Sequence, residues 1–217
     1  MTQQGGLFSA PPLDTLSFEK SAANNGFFYI AGIDEAGRGP LAGPVMAAAV
    51  ILPVGLTIIG VDDSKKLTPD KRDKLFDVIM AQALSVGVGI ATPAEIDRIN
   101  ILQATRRAML AAVLNLSHPP DYLLIDGIST IDSTIPQKTI KKGDSLSLSI
   151  AAASIIAKVT RDRIMIEMDA LYPGYGFAGH KGYGSAAHMD AIKRLGPSPI
   201  HRLTFGGVKE YVHCTCS

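Results

Sequence analysis

Cysteine is almost absent from this chain of 217 residues. Only Cys214 and Cys216 occur, three and one residues from the carboxyl terminus. Two thiols so close to the end cannot close a useful loop or supply four zinc ligands, so a disulfide scaffold and a structural zinc site are excluded and a reducing, cytoplasmic setting is expected. A dominant charge is lacking as well: 21 basic residues against 20 acidic ones leave a net charge of +1. Any affinity for a polyanion must then come from local patches, and a generic basic coat for nucleic acid is excluded. Charged residues make up only 19% against 47% apolar ones, which excludes a disordered chain or an extended charged helix and leaves a compact fold. Long apolar runs are missing too. The longest, residues 45–52 and 149–157, fall well short of the roughly 20 residues that span a bilayer. The first residues carry Gly5-Gly6, Pro11-Pro12 and Asn24-Asn25 but no basic start followed by an apolar core, so residues 1–26 read as a flexible arm and not a signal peptide. The remaining length fits one large domain over 27–217.

Residues 27–33 are apolar without alternation and end in Asp34-Glu35, as a buried strand would; residues 45–52, bounded by Pro44 and Pro53, read as a second strand paired with it in a hairpin. Thr68-Pro69 opens a helix carrying Leu75, Phe76, Ile79, Met80 and Ala83 at helical spacing. A strand over 85–91 follows. Thr92-Pro93-Ala94-Glu95 is a capping box for a helix to about Leu116. Tyr122 to Ile125 is a strand running into Asp126-Gly127, and residues 136–140 a weaker one. A long helix begins after Asp144, residues 172–184 are irregular, and a last helix covers about 185–195. Strands alternating with helices after an opening hairpin give an α/β fold with a mixed sheet flanked by helices.

Asp34, Glu35, Asp126 and Asp144 all stand at or just past the ends of apolar segments, each locus with glycine within two residues. If these ends converge, four carboxylates repel one another unless a cation neutralises them, and oxygen donors without histidine or cysteine select Mg²⁺ or Mn²⁺ and hence phosphoryl chemistry. Taken singly, Asp126 is equally a turn residue, and Asp144 equally the N-cap of the helix behind it. Successive strand residues point to opposite faces, so Asp34 and Glu35 reach one metal only if the strand bends, which Gly37 permits. The turn Gly37-Arg38-Gly39 offers backbone N–H groups and a guanidinium to a phosphate or hydroxyl, or is simply a tight connection. Lys65-Lys66 and Lys141-Lys142 are candidate phosphate contacts or solvated surface. His180-Lys181-Gly182-Tyr183-Gly184 joins a cation and an aromatic ring in a glycine loop, suited to stacking on a sugar or base. His188 and His201 lack metal-ligand spacing and read as surface or local hydrogen-bonding groups.

The stretch from Gly32 to Val45, GIDEAGRGPLAGPV, resembles the opening signature of bacterial ribonuclease HII, and 63–67, 125–127, 142–144, 149–162 and 180–184 match further segments of that family in the same order. The resemblance covers residues 27 to about 207. It implies an RNase H-like fold with a helical carboxyl-terminal extension from about residue 170. It also implies an endonuclease, expected to be monomeric, that cuts RNA paired with DNA and cuts 5′ of ribonucleotides embedded in duplex DNA. Two divalent ions would activate water and stabilise the leaving 3′ oxygen, giving 5′-phosphate and 3′-hydroxyl ends. The family's catalytic and metal-binding acids fall on Asp34, Glu35, Asp126 and Asp144. Its loop for the ribose 2′-hydroxyl falls on Gly37, Arg38 and Gly39, and its substrate-sensing tyrosine on Tyr183; Lys65, Lys66 and Lys142 are the expected phosphate contacts. The alternative is an RNase H-like nucleic-acid binder without catalysis, which has no need of four acids that repel phosphate.

Overall fold

The computed structural model describes residues 14–61, 64–65 and 67–215. The first thirteen residues, Lys66 and Cys216 lie outside the described residues. A first helix, α1 (Ser17–Asn24), precedes strands β1 (Ile30–Ala36) and β2 (Val45–Ile51); helix α2 (Pro69–Gln82), strand β3 (Ser85–Ala91) and helix α3 (Pro93–Leu114) follow. Then come β4 (Tyr122–Asp126), β5 (Gln137–Ile140), a single 3₁₀ turn at Gly143–Ser145, the long helix α4 (Leu148–Leu171), α5 (Phe177–His180), α6 (Ala186–Leu195) and a terminal 3₁₀ segment, Lys209–Thr215.

The five strands form one sheet in the order β3-β2-β1-β4-β5. The β1–β2 and β2–β3 pairs are antiparallel, and β4 and β5 join parallel to β1. The sheet is the mixed one expected, and the opening pair is the hairpin. Its two faces are covered differently. Ala31, Ile33, Ala47, Ala49, Leu123 and Ile125 pack with Ala104, Ala108 and Ala112 of α3. Ala48 and Val50 pack with Ala152, Ile155, Ile156 and Val159 of α4 and with Ile79 of α2. The alternation is what period-two side chains on a doubly covered sheet require.

Helix α4 lies directly on β1. A Cβ built on Gly32 would stand 2.1 Å from the backbone carbon of Ser149, so helix and strand meet with no side chain between them. Helix α3 starts at the expected capping box, with Thr92 and Glu95 bonding each other's backbone N–H groups. It is kinked at Asn100 (φ 68°), whose Oδ1 accepts from the N–H groups of Leu102 and Gln103.

Two expectations are corrected. The residues before Phe27 are not all a loose arm: α1 is docked by Glu19, whose Oε1 accepts from Ser147 Oγ (2.6 Å), Ser149 Oγ (2.7 Å) and Ser149 N (3.0 Å). That carboxylate sits at the start of α4, where the exposed N–H groups and the helix dipole favour a negative charge. The signal was too dispersed to see in sequence, because the serines lie some 130 residues away. Second, Asp144 does not cap α4. It belongs to the 3₁₀ turn, and Ser147 is the N-cap, accepting from Ile150 N.

Glu19→Ala should therefore lower stability by about 2 kcal/mol, since it leaves Ser149 N–H and two hydroxyls short of a charged partner. Urea denaturation checks this; an unchanged midpoint would mean that α1 contributes nothing to the fold.

Candidate active site

Strand β1 delivers Asp34 and Glu35, and the adjacent parallel β4 ends at Asp126, one step past the paired residues Ile33 and Ile125. The bend that a shared metal would require between Asp34 and Glu35 is absent: β1 stays paired with β2 through Ala36 and Met46. The two carboxylates accordingly face different sides of the sheet. Asp34 is buried on the α4 side, within hydrogen-bonding reach of Ser154, whose Oγ is 2.8 Å from Ser64 Oγ. Glu35 lines a cleft of about 300 Å³ with Leu102, Thr105, Arg106, Met109 and Asp126, and its Oε1 is 3.3 Å from Arg38 Nη1.

Asp126 is felt by both. Burial first, then the charges of Glu35 and Asp126, push the Asp34 carboxyl well above its ordinary range. Burial also raises Glu35, opposed by Arg38 and reinforced by Asp126. Asp126 Oδ1 accepts from Gly143 N at 2.6 Å, which ties β4 to the turn carrying Asp144. Asp144 is buried, with Lys65 Nζ 3.8 Å from its Oδ2. Lys65 thus faces the acids. Lys142 is exposed, in the left-handed conformation (φ 60°) at the start of the same turn. Lys66 lies outside the described residues.

Among the described residues, no three acidic, histidine or cysteine side chains are gathered around one cation position. The donor set nevertheless fits a hard divalent ion. Asp34 is a buried carboxyl whose ionised form is disfavoured by the charges of two other acids, and Mg²⁺ commonly takes only one or two carboxylates together with waters and substrate phosphates.

The Gly37-Arg38-Gly39 turn is held from below by two buried arginines to which the sequence reading gave no role. Arg202 donates from Nη1 to the Arg38 carbonyl (2.8 Å), from Nη2 to the Gly37 carbonyl, and from Nε and Nη2 to Gly43. Arg161 donates to the carbonyls of Pro44 (3.0 Å), Ala42 (3.1 Å) and Lys181 (3.0 Å). Burial, followed by the neighbouring Arg161, pulls Arg202 down to about 9. In a trans peptide the N–H points opposite to the C=O, so fixing the Gly37 and Arg38 carbonyls on Arg202 turns the N–H groups of Arg38 and Gly39 away from it. That arrangement can meet a hydroxyl.

Gly37 itself is required by this clamp. It has φ 97°, and an added Cβ would lie 2.1 Å from Arg161 Nε. Gly39, by contrast, would meet only the edge of the Tyr183 ring, at 3.8 Å. Tyr183 is half exposed, and its loop is joined to the turn by Leu41 N donating to the Gly182 carbonyl (2.8 Å). The structure thus brings the glycine turn and the tyrosine together. His188 and His201, expected at the surface or in local bonds, are instead buried and bonded to each other, Nε2 to Nε2 at 3.0 Å. Neither arginine nor histidine announced this in sequence, since their partners are backbone groups and distant residues.

A mixed sheet with acids at the ends of its two central strands defines a metal-dependent nuclease of the RNase H-like class. Residues 31–208 match the family described as Ribonuclease HII. The chain is 69% identical to the ribonuclease HII of Pelobacter propionicus over 99% of its own length and 98% of that protein's. It is also 69% identical to that of Geobacter sulfurreducens, over 95% of each chain. Among solved structures it is similar to ribonuclease H2 from Pyrococcus horikoshii, with a TM-score of 0.70 and 30% identity, covering 84% of this chain and 96% of that one. The chain belongs to the ribonuclease HII family and is a metal-dependent endoribonuclease.

Three substitutions test the site's physics. Asp34→Asn should abolish cleavage yet raise the melting temperature in chelator, because it removes a buried charge that its neighbours disfavour. A variant markedly less stable than the wild type in metal-free buffer would make Asp34 a structural residue. Gly37→Ala should cost about 2 kcal/mol or more through strain and the collision with Arg161, whereas Gly39→Ala should stay within about 0.5 kcal/mol of wild type. Equal losses in denaturant midpoints would show that the clamp is not what requires Gly37.

Proposed function

We propose that Asp34, Glu35, Asp126 and Asp144 carry the cleavage and hold Mg²⁺ or Mn²⁺, on RNA–DNA hybrids and on duplex DNA containing single ribonucleotides. When bound, the ions supply activation of the attacking water and neutralisation of the departing 3′ oxygen. The chain's own groups do the rest. Lys65, beside Asp144, and Lys142, opening the same turn, meet backbone phosphates, which position the duplex without reading it. Lys66 belongs to the same proposal by its place in sequence. Arg38 offers its guanidinium next to Glu35.

The observation that carries the reading is the place of the Tyr183 ring beside Gly39, 3.8 Å from where a Cβ on that glycine would stand. Backbone N–H groups of the Gly37-Arg38-Gly39 turn recognise the 2′-hydroxyl of a ribose, and the tyrosine ring beside them packs against the next sugar. A flat ring favours a deoxyribose there, since a 2′-hydroxyl would lose its water against the ring face. Two adjoining sugars are thus tested for opposite properties, which defines an RNA-to-DNA junction.

Tyr183→Ala should then lose most of its kcat/KM on DNA bearing one ribonucleotide while losing less on continuous RNA paired with DNA, where the favoured junction is absent. Both substrates are assayed with one enzyme preparation in Mg²⁺ and in Mn²⁺. Equal proportional losses would remove Tyr183 from junction recognition.

A further inference from the structure

Three histidines are packed around Phe177, away from the acids. The rings of His180 and His188 are stacked, with centroids 4.3 Å apart at 17°, and His188 and His201 meet Phe177 with centroids 5.5 and 5.6 Å from its own. His188 is fully buried and His201 nearly so. The chemistry proposed above uses none of them.

Their hydrogen bonds leave one arrangement of protons. The backbone N–H of Ser198 can only donate, and it reaches His201 Nδ1 at 2.8 Å. The His201 proton is therefore on Nε2, which donates to His188 Nε2 at 3.0 Å. The His188 proton is then on Nδ1, 2.9 Å from the Tyr183 carbonyl, which can only accept. His180 follows the same logic: Gly182 N–H donates to its Nδ1 (3.1 Å), so its Nε2–H donates to the Tyr175 carbonyl (2.8 Å). A second proton on His201 would expel Ser198 N–H, and one on His188 would set two N–H groups against each other. Burial, then the neighbouring rings, hold His201 near 4 and lower His188, which keeps both neutral at neutral pH.

From this chain of bonds we infer that His188 and His201 are positioning residues for the substrate-sensing tyrosine: they fix the backbone of Tyr183, and so its ring over Gly39, from the proline-rich segment around Ser198. The inference rests on the junction-reading role proposed for Tyr183. Direction matters in this relay. Each bond fixes the tautomer of the next ring, so the donor presented to Tyr183 is set by a backbone N–H fifteen residues further along the chain. The loop is also gripped from its other side, by Leu41 N on the Gly182 carbonyl and by Arg161 on the Lys181 carbonyl. Those contacts hold the residues before Tyr183; only the histidine relay bonds the tyrosine's own carbonyl to the core beneath it, and the N–H of Ser185, which donates to the same carbonyl at 2.8 Å, belongs to the loop itself.

The test compares His188→Leu, which removes the donor, with His188→Asn, whose amide nitrogen stands where Nδ1 does. The readout is the ratio of kcat/KM on single-ribonucleotide DNA to that on an RNA–DNA hybrid, which a simple loss of folded enzyme leaves unchanged. His188→Leu should lower the ratio by about five-fold or more, the scale on which a misplaced contact affects catalysis, and His188→Asn should restore most of it. Combining His188→Leu with Tyr183→Ala should give no further change, as expected for residues acting in series. An unchanged ratio in His188→Leu, or a His188→Asn variant as impaired as the leucine one, overturns the inference. If the leucine variant does not fold, His201→Gln replaces it: its amide can present either oxygen or nitrogen to His188, which frees the tautomer and should give a partial loss. A separate measurement is independent of the substrate reading. In full-length protein carrying 3-fluorotyrosine, the Tyr183 ¹⁹F resonance, assigned with Tyr183→Phe, should shift or broaden in His188→Leu and return in His188→Asn. If Tyr183→Ala leaves the substrate ratio untouched, the junction role fails, and the fluorine signal still decides whether the histidines position the ring.

Discussion

The structure depends on one close approach, helix α4 lying on β1 with nothing but backbone between them at Gly32 and Ser149. A helix advances about 1.5 Å per residue, so once its first turn is seated on the strand every later position is set along the same line. Ser147 and Ser149 receive Glu19 at one end. Ser154 comes up beneath Asp34, and Arg161, about 10 Å further on, reaches the glycine turn that follows β1. Met165 closes the line, packed with Ala42 and Phe177. The small residues of the Ala151-Ala152-Ala153 stretch are what allow such proximity, and they are buried throughout. One helix thus holds Asp34 and the glycine turn in fixed relation to each other.

Two buried charges of opposite sign are handled in opposite ways. The guanidinium groups of Arg161 and Arg202 are desolvated but surrounded by carbonyl oxygens, so each is satisfied by dipoles that the fold itself supplies. Asp34 is desolvated beside other carboxylates, and among the described residues the Ser154 hydroxyl and the Glu35 N–H assist it. The buried arginines are thus satisfied by the fold itself, whereas the ionised form of Asp34 is disfavoured by its neighbours, which is where the proposed cation would act. A positive field below the glycine turn and an acidic strand end beside it also suit a polyanion whose phosphates approach with metal ions, which reconciles phosphate binding with a chain of almost zero net charge.

What could be read in the sequence was what local pattern controls. The strands, the capping boxes and the placement of Asp34 and Asp126 at strand ends all follow from periodicity and punctuation, and the structure has them. The family resemblance added the glycine turn and Tyr183 as expected substrate contacts, and the structure places the two side by side. The features that stayed hidden are those made by distance in sequence. Glu19 looked like part of a loose arm because its serine partners are on α4. Asp144 allowed a helix-cap role in sequence because nothing local separates the 3₁₀ turn that contains it from the helix that Ser147 caps. His188 and His201 are thirteen residues apart, a spacing that matches no ligand motif, and only the fold of the proline-rich tail brings their rings together. The bend that would put Asp34 and Glu35 on one side is absent for a different reason: the β1–β2 ladder continues past both, and backbone pairing outweighs the convenience of placing two carboxylates together.

Asp34 and Glu35 on opposite faces, with Asp126 acting on both, also define how the two halves of the site divide their work. In the roles proposed, recognition would rest on backbone N–H groups, a tyrosine ring, neutral histidines and arginines bonded to carbonyls, all held by hydrogen bonds within the fold. Catalysis rests on carboxylates whose ionised forms disfavour one another until a divalent cation and a phosphate join them. Reading the junction and cutting it are therefore separable properties of neighbouring surfaces, coupled mechanically through α4, whose Ser154 touches one and whose Arg161 supports the other. On the proposed roles, a substrate would be held in register by groups that the fold itself satisfies, while the carboxylates would be completed by a divalent cation and the substrate phosphate.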